Sequence, residues 1–143
     1  MEEKEVISAA QDLVRAGRSF VFATIDEQGV PQMRWMGAAY LEEPLTIYMA
    51  SGAISRKVDQ ITAHPKSQLM FQAEDYSRVA TLTGTSEVVS EAETKRQVFE
   101  QIAGASQYFS GPEDPKFGAI KFTCRRVEVL GMSEGMGVES ADL

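Results

Sequence analysis

The strongest constraint on the fold is a series of extended segments that follow one another directly. The first, "SFVFATID", is rich in aromatic and β-branched residues. "EQGVP" is a turn that feeds the longer segment "QMRWMGAAYLE", so the two read as a hairpin. "EEP" then breaks the chain before "LTIYMAS", where Leu45, Ile47 and Met49 alternate with Thr46, Tyr48 and Ala50, as in a strand with two distinct faces. Further along, "SQLMFQAE" and "RVATLTGTSEVVS" read as two more strands, and Gly84 inside the second marks a bulge or a close backbone approach. "AIKFTCRRVEVLG" is the last; its apolar phase shifts between Cys124 and Val127, which a bulge at Arg125 and Arg126 explains.

Helices punctuate this series. Val6, Ala9, Ala10, Leu13 and Val14 recur at helical spacing with Gly17 as a stop, predicting a helix over residues 3 to 16. Ser55 caps a second helix that Pro65 ends, and "EAETKRQVFEQIA" is a third, followed by the loop-rich "GASQYFSGPEDPKFG". About six strands and three helices, with strands often consecutive, fit an antiparallel α+β barrel, mainly β, better than a doubly wound sheet. Residues 1–133 read as a single domain and 134–143 as a polar C-terminal tail.

The function classes narrow with composition. A formal net charge of -7 disfavours non-specific binding to nucleic acid or anionic membranes. No apolar run approaches the ~18 residues of a membrane span, and the acidic, periodic N-terminus is unlike a signal peptide, so a cytoplasmic location is expected. Cys124 and His64 are single, which leaves no zinc cluster or disulfide to build, and no metal site is expected. The seven methionines read as plastic packing, and Phe20, Phe22, Phe71 and Phe122 as core or interface aromatics.

Against that acidic background, two cations are misplaced. Arg56 and Lys57 fall in the first turn after the Ser55 cap, where exposed N–H groups and the helix dipole favour negative charge. A bound anion reverses the sign of that cost, and the turn, the hydroxyl and the two cations then form a phosphate site. Arg34 is the third cation of interest. It lies in an otherwise apolar strand, on one face with Met36 while Trp35 points to the other, and no acidic residue is near it in sequence.

From "FVFATIDEQGVPQMRWM" through "LTIYMASGAISRKVDQITAHPKSQLMF" to "TLTGTSEVV" and "YFSGPEDP", the chain resembles the FMN-binding split barrels related to pyridoxamine 5'-phosphate oxidase, especially the small general-stress-protein-like members. The likeness covers roughly residues 5 to 131. It implies a six-stranded split β-barrel with flanking helices, forming a homodimer with two flavin sites at the interface. By position, Arg34 would reach the FMN phosphate or ribityl chain, while Trp35 and Met36 would present backbone to the ring edge. Met49, Ala50 and Ser51 would line the ring and ribityl; Ser55, Arg56 and Lys57 match the phosphate grip; Tyr108 matches an aromatic near the active site.

The departures bear on substrate. Ala38 and Ala39 stand where the vitamin oxidase has a lysine, "SGPEDP" is acidic where it has an arginine-rich loop, and its Arg-x-His segment is missing from "SEGMGVESADL". The resemblance therefore implies a flavoprotein that passes hydride or electrons between a reduced donor and a small acceptor, without pyridoxamine-phosphate oxidation. The alternatives are a non-catalytic flavin carrier or sensor, an F420-binding relative, or a barrel that has lost its cofactor. FAD also stays open as the flavin, and no catalytic side chain is assigned.

Overall fold

In the computed structural model, residues 1–132, 135 and 137–143 are described. Helix α1 (Glu3–Ala16) spans the predicted range and buries Val6, Ala9, Ala10, Leu13 and Val14. Strands β1 (Phe20–Ile25) and β2 (Pro31–Met36) form the predicted hairpin, in a register that runs from Phe20 opposite Met36 to Ile25 opposite Pro31. Asp26 holds the turn, its Oδ1 accepting from the N–H groups of Gln28 and Val30 at 2.9 Å, and Gly29 supplies the positive φ of 80°.

After β2 come β3 (Ala39–Glu42), β4 (Thr46–Gly52), α2 (Arg56–Ala63), β5 (Lys66–Gln72) and β6 (Val79–Val89). Then follow α3 (Ala92–Gln101), the short α4 (Ala105–Tyr108), β7 (Phe117–Leu130) and β8 (Val138–Asp142). All pairings are antiparallel, in the order β2-β1-β5-β6-β7-β4-β3, with β8 on β7.

Eight strands stand where six are expected, for two reasons. The segment "QMRWMGAAYLE", read as one strand, divides at Gly37 and Ala38 into β2 and β3, which lie at opposite edges of the sheet and do not pair. That gap is the split in the barrel. The second reason is the C-terminus: residues 138–142 of the expected polar tail form β8, which takes the part of the β7 edge beyond the reach of β4. Ala141 on that strand is buried, and the Asp142 N–H donates to Glu3 Oε2 at 2.8 Å. Ser133, Glu134 and Met136 of the expected tail lie outside the described residues.

The bulge falls where the apolar phase shifts. Thr83 pairs with Arg126 and Gly84 with Cys124, so Arg125 is the extra residue of β7. Gly84 is required there, because a Cβ would lie 1.9 Å from the Thr123 carbonyl oxygen.

Inside the sheet, α1 and Ile61 of α2 close over Phe20, Phe22, Leu69, Phe71, Phe122 and Val127. The Phe20 and Phe71 rings stack at 4.6 Å. On the outer face, Val98 and Ile102 pack on Tyr48, Phe117 and Ala119, so both faces of β4 are covered. Among the described residues, no helix covers the outer face of β2, β1, β5 and β6, and it exposes Met33 and Trp35, at 72% and 66%, and Met70. No helix among the described residues is long and apolar enough to cross a membrane.

Candidate functional site

The start of α2 is built as its sequence requires. The Ser55 Oγ accepts from the Val58 N–H at 3.4 Å, which caps the helix and places Arg56 and Lys57 in its first turn. Arg56 is exposed and Lys57 half-buried. Across from them, β2 turns Arg34 inward, on the same face as the buried Met36. Arg34 Nη1 donates to Phe22 O at 3.1 Å and to Thr24 Oγ1 at 2.8 Å, and its Nη2 donates to Gln60 Oε1 at 3.2 Å. The guanidinium also lies 5.7 Å from the Phe22 ring centroid.

These three cations form one field. Burial lowers the Arg34 pKa, and Arg56 lowers it further. Burial likewise pulls the Lys57 ammonium below its ordinary value, with Arg34 adding to the effect. Among the described residues, no carboxylate comes within 4 Å of Arg34, Arg56 or Lys57. Asp26 feels the charge of Arg56 from beyond Gln32, but Arg34 and Lys57 are partly desolvated, repel each other and meet no carboxylate directly, which leaves room for an anion.

Lys57 also lines a cleft of about 680 Å³ beside the split between β2 and β3. Of the residues expected in a site, Trp35, Met36, Ala50, Ser51, Lys57 and Tyr108 share its wall. Among the described residues, Lys57 is the only charged side chain there. Met49 does not join them: its side chain is fully buried in the main core, because the inward phase of β4 belongs to Ile47 and Met49. Arg34, Ser55 and Arg56 stand outside the cleft wall, connected to it through α2 and the field on Lys57.

Sequence reasoning missed the opposite wall. Residues 102–105 and Phe109 close the cleft from the segment between α3 and β7, and Gly37 and Gly52 keep two strand ends free of side chains. Only the aromatic at Tyr108 pointed there from the sequence. Gln60 was missed as well, since nothing local marks a helical glutamine as an arginine's partner. The acidic loop is braced from within. Asp114 accepts from the N–H groups of Ser110 and Lys116 at 2.9 Å, and these bonds hold its carboxyl below the usual range.

A second cavity, also about 680 Å³, lies at the C-terminal end of α1. It mixes Asp12 and Glu74 with Arg18 and Arg78, so it lacks the single-sign field of the α2 site. The cleft beside the split thus has a place for an uncharged ring system and, at one end, for an anionic group.

The strand order, the cationic helix start and the adjoining cleft define a mainly β, antiparallel split-barrel fold with flanking helices. The sequence pattern of the pyridoxamine 5'-phosphate oxidase family matches residues 7–131, and the chain belongs to that family. No curated protein sequence matches it significantly.

Solved structures share the fold. A Clostridium acetobutylicum protein related to general stress protein 26 is 19% identical, with a TM-score of 0.82 over 100% of this chain and 97% of that one. A Nostoc punctiforme protein described as pyridoxamine 5'-phosphate oxidase-related and FMN binding is 14% identical, with a TM-score of 0.72 over 100% and 97%. A heme binding protein from Mycobacterium smegmatis is 16% identical, with a TM-score of 0.78 over 96% of this chain and 57% of that one. At such identities the likeness speaks for the fold alone, and the fold serves more than one ligand.

Proposed function

We propose that the protein binds FMN and acts as an oxidoreductase, passing hydride or electrons between a reduced donor and a small acceptor. The observation that carries this reading is the group of three cations without a carboxylate partner, adjoining a cleft whose other walls are uncharged and partly aromatic. The residues fit the cofactor: Arg56, Lys57 and the Ser55 end of α2 would take the phosphate, with Arg34 reinforcing the field. Trp35, Met36, Ala50, Ser51 and Tyr108 would bound the ring and ribityl chain. Bound FMN supplies a hydride acceptor at its own N5, so the chain's part is to orient the ring and exclude water.

Pyridoxamine-phosphate oxidation is not the proposed reaction. Ala38 lines the cleft, with no charge to meet a second phosphate, and residues 102–105 supply none. The bare outer face supports a homodimer with the flavin sites at its interface. Val21 lies between Trp35 and Met70 across three strands, and Ala23 between Met33 and Gln68, forming an uncharged patch continuous with the cleft through Trp35.

The test is the visible spectrum of the protein purified without added cofactor and again after FMN addition and desalting. Retained flavin absorbance that bleaches with NADH or NADPH and returns with an acceptor supports the enzyme. Flavin that binds but does not turn over with any donor and acceptor favours the carrier reading. A colourless protein that releases added FMN turns the question to F420. Sedimentation of the same samples tests the dimer.

A further inference from the structure

Among the described residues, every acceptor that meets the Arg34 guanidinium is uncharged: Phe22 O, Thr24 Oγ1 and Gln60 Oε1. That is unusual for an arginine taken partly out of water, which is ordinarily paired with a carboxylate. Gln60 is the centre of the arrangement. Its Oε1 accepts from Thr24 Oγ1 at 2.5 Å as well as from Arg34 Nη2, so one amide oxygen joins α2 to both β1 and β2. A glutamate has the same reach and is a stronger acceptor for both donors. Hydrogen bonding within the fold thus favours glutamate at this position, and the chain has glutamine.

The amide keeps what a carboxylate would remove, the positive charge of Arg34. Arg56 repeats the pattern. Its Nη2 meets Gln32 Oε1 at 3.4 Å, while Gln32 Nε2 donates to Asp26 Oδ2 at 2.9 Å. A neutral amide therefore stands between that arginine and the nearby carboxylate.

We propose that Gln60 is a positioning residue that orients Arg34 without neutralising it, and so sets the preference of the site for a phosphorylated over an unphosphorylated flavin. This inference rests on the phosphate reading of the α2 site. The selectivity is electrostatic, because Gln60 fixes the geometry of the cation and leaves its field for the ligand.

The experiment compares wild type with Gln60→Glu and Gln60→Leu. Flavin fluorescence quenching gives the dissociation constants for FMN and for riboflavin at one salt concentration, and thermal unfolding is followed on the same proteins. The expected result is that Gln60→Glu keeps or raises Tm, leaves riboflavin affinity unchanged, and cuts the FMN-over-riboflavin preference by about tenfold or more. Gln60→Leu also lowers the preference, since Arg34 loses its orientation. A wild-type preference that persists in Gln60→Glu overturns the inference and leaves the phosphate reading standing. Loss of both ligands in parallel with Tm assigns Gln60 a merely structural role and overturns it too. A wild type that holds FMN and riboflavin equally overturns the phosphate reading and the inference together.

Discussion

Gly84 and Thr123 approach so closely that a Cβ on residue 84 would sit 1.9 Å from the Thr123 carbonyl oxygen. The contact lies at the β-bulge, where Arg125 has no partner on β6. The nearest atoms, from Thr123 and Cys124, are all backbone, so no side chain can move aside. Gly84→Ala should destabilise the fold by about 3 kcal/mol or more, through overpacking in a paired strand. Urea unfolding reads this directly, and an unchanged midpoint would show that the strands part easily there.

The charges of the α2 start separate binding from folding. Arg56→Ala combined with Lys57→Ala should lose roughly 2–4 kcal/mol of FMN affinity, by removal of charge-assisted hydrogen bonds. The circular dichroism spectrum should not change. An unaltered dissociation constant would move the phosphate elsewhere.

Lys57 alone should show a conflict between stability and binding. Burial and Arg34 hold its pKa below the ordinary 10.5, so the folded chain tolerates the ammonium less well than the unfolded chain does. Below the folded pKa that charge costs stability, and the cost is relieved as pH rises from the folded toward the unfolded value. Lys57→Met should therefore raise Tm by roughly 1–3 °C while weakening FMN binding. A fall in Tm would mean that Lys57 has a favourable partner in the free protein.

The same linkage shapes the pH profile of binding. An anion beside Lys57 raises its pKa, so FMN affinity should fall with rising pH once the free lysine begins to lose its proton, which happens below 10.5. On the acid side, affinity should decline through the second ionisation of the phosphate, near about 6. Titrations from acid to alkaline pH should give a bell for FMN and a flat acid limb for riboflavin.

Removing residues 138–143 tests the last strand. The deletion takes Ala141 from the core, the Arg126 Nη1 to Asp142 Oδ1 pair at 3.0 Å, and the Asp142 contact with Glu3. A loss of about 1–3 kcal/mol in unfolding free energy is expected, with most of it from the uncovered apolar surface of β7 and α1. A free tail would cost nothing on removal.

Much of this architecture was legible along the chain. The α1 stripe from Val6 to Val14, the Asp26–Gly29 turn, the Ser55 cap and the β7 bulge are all set by residues within a few positions of one another. The inward phase of Arg34 and Met36 follows from a period of two. Where the reading failed, the deciding partner was distant. Nothing in "QMRWMGAAYLE" shows that β2 stays with β1 while β3 crosses to β4, and nothing in "VESADL" shows that the β7 edge is open to it.

The candidate site divides in the same way. Local chemistry alone determined that Arg56 and Lys57 sit against a helix dipole and that Arg34 is a cation in an apolar strand, because capping, dipole and strand period act over one or two turns of chain. Folding decided that these cations share one field, that Gln60 rather than a carboxylate meets Arg34, and that residues 102–105 wall the cleft. Folding also withdrew Met49 into the core. Coulombic and packing forces act through space, and they join residues that the chain keeps dozens of positions apart.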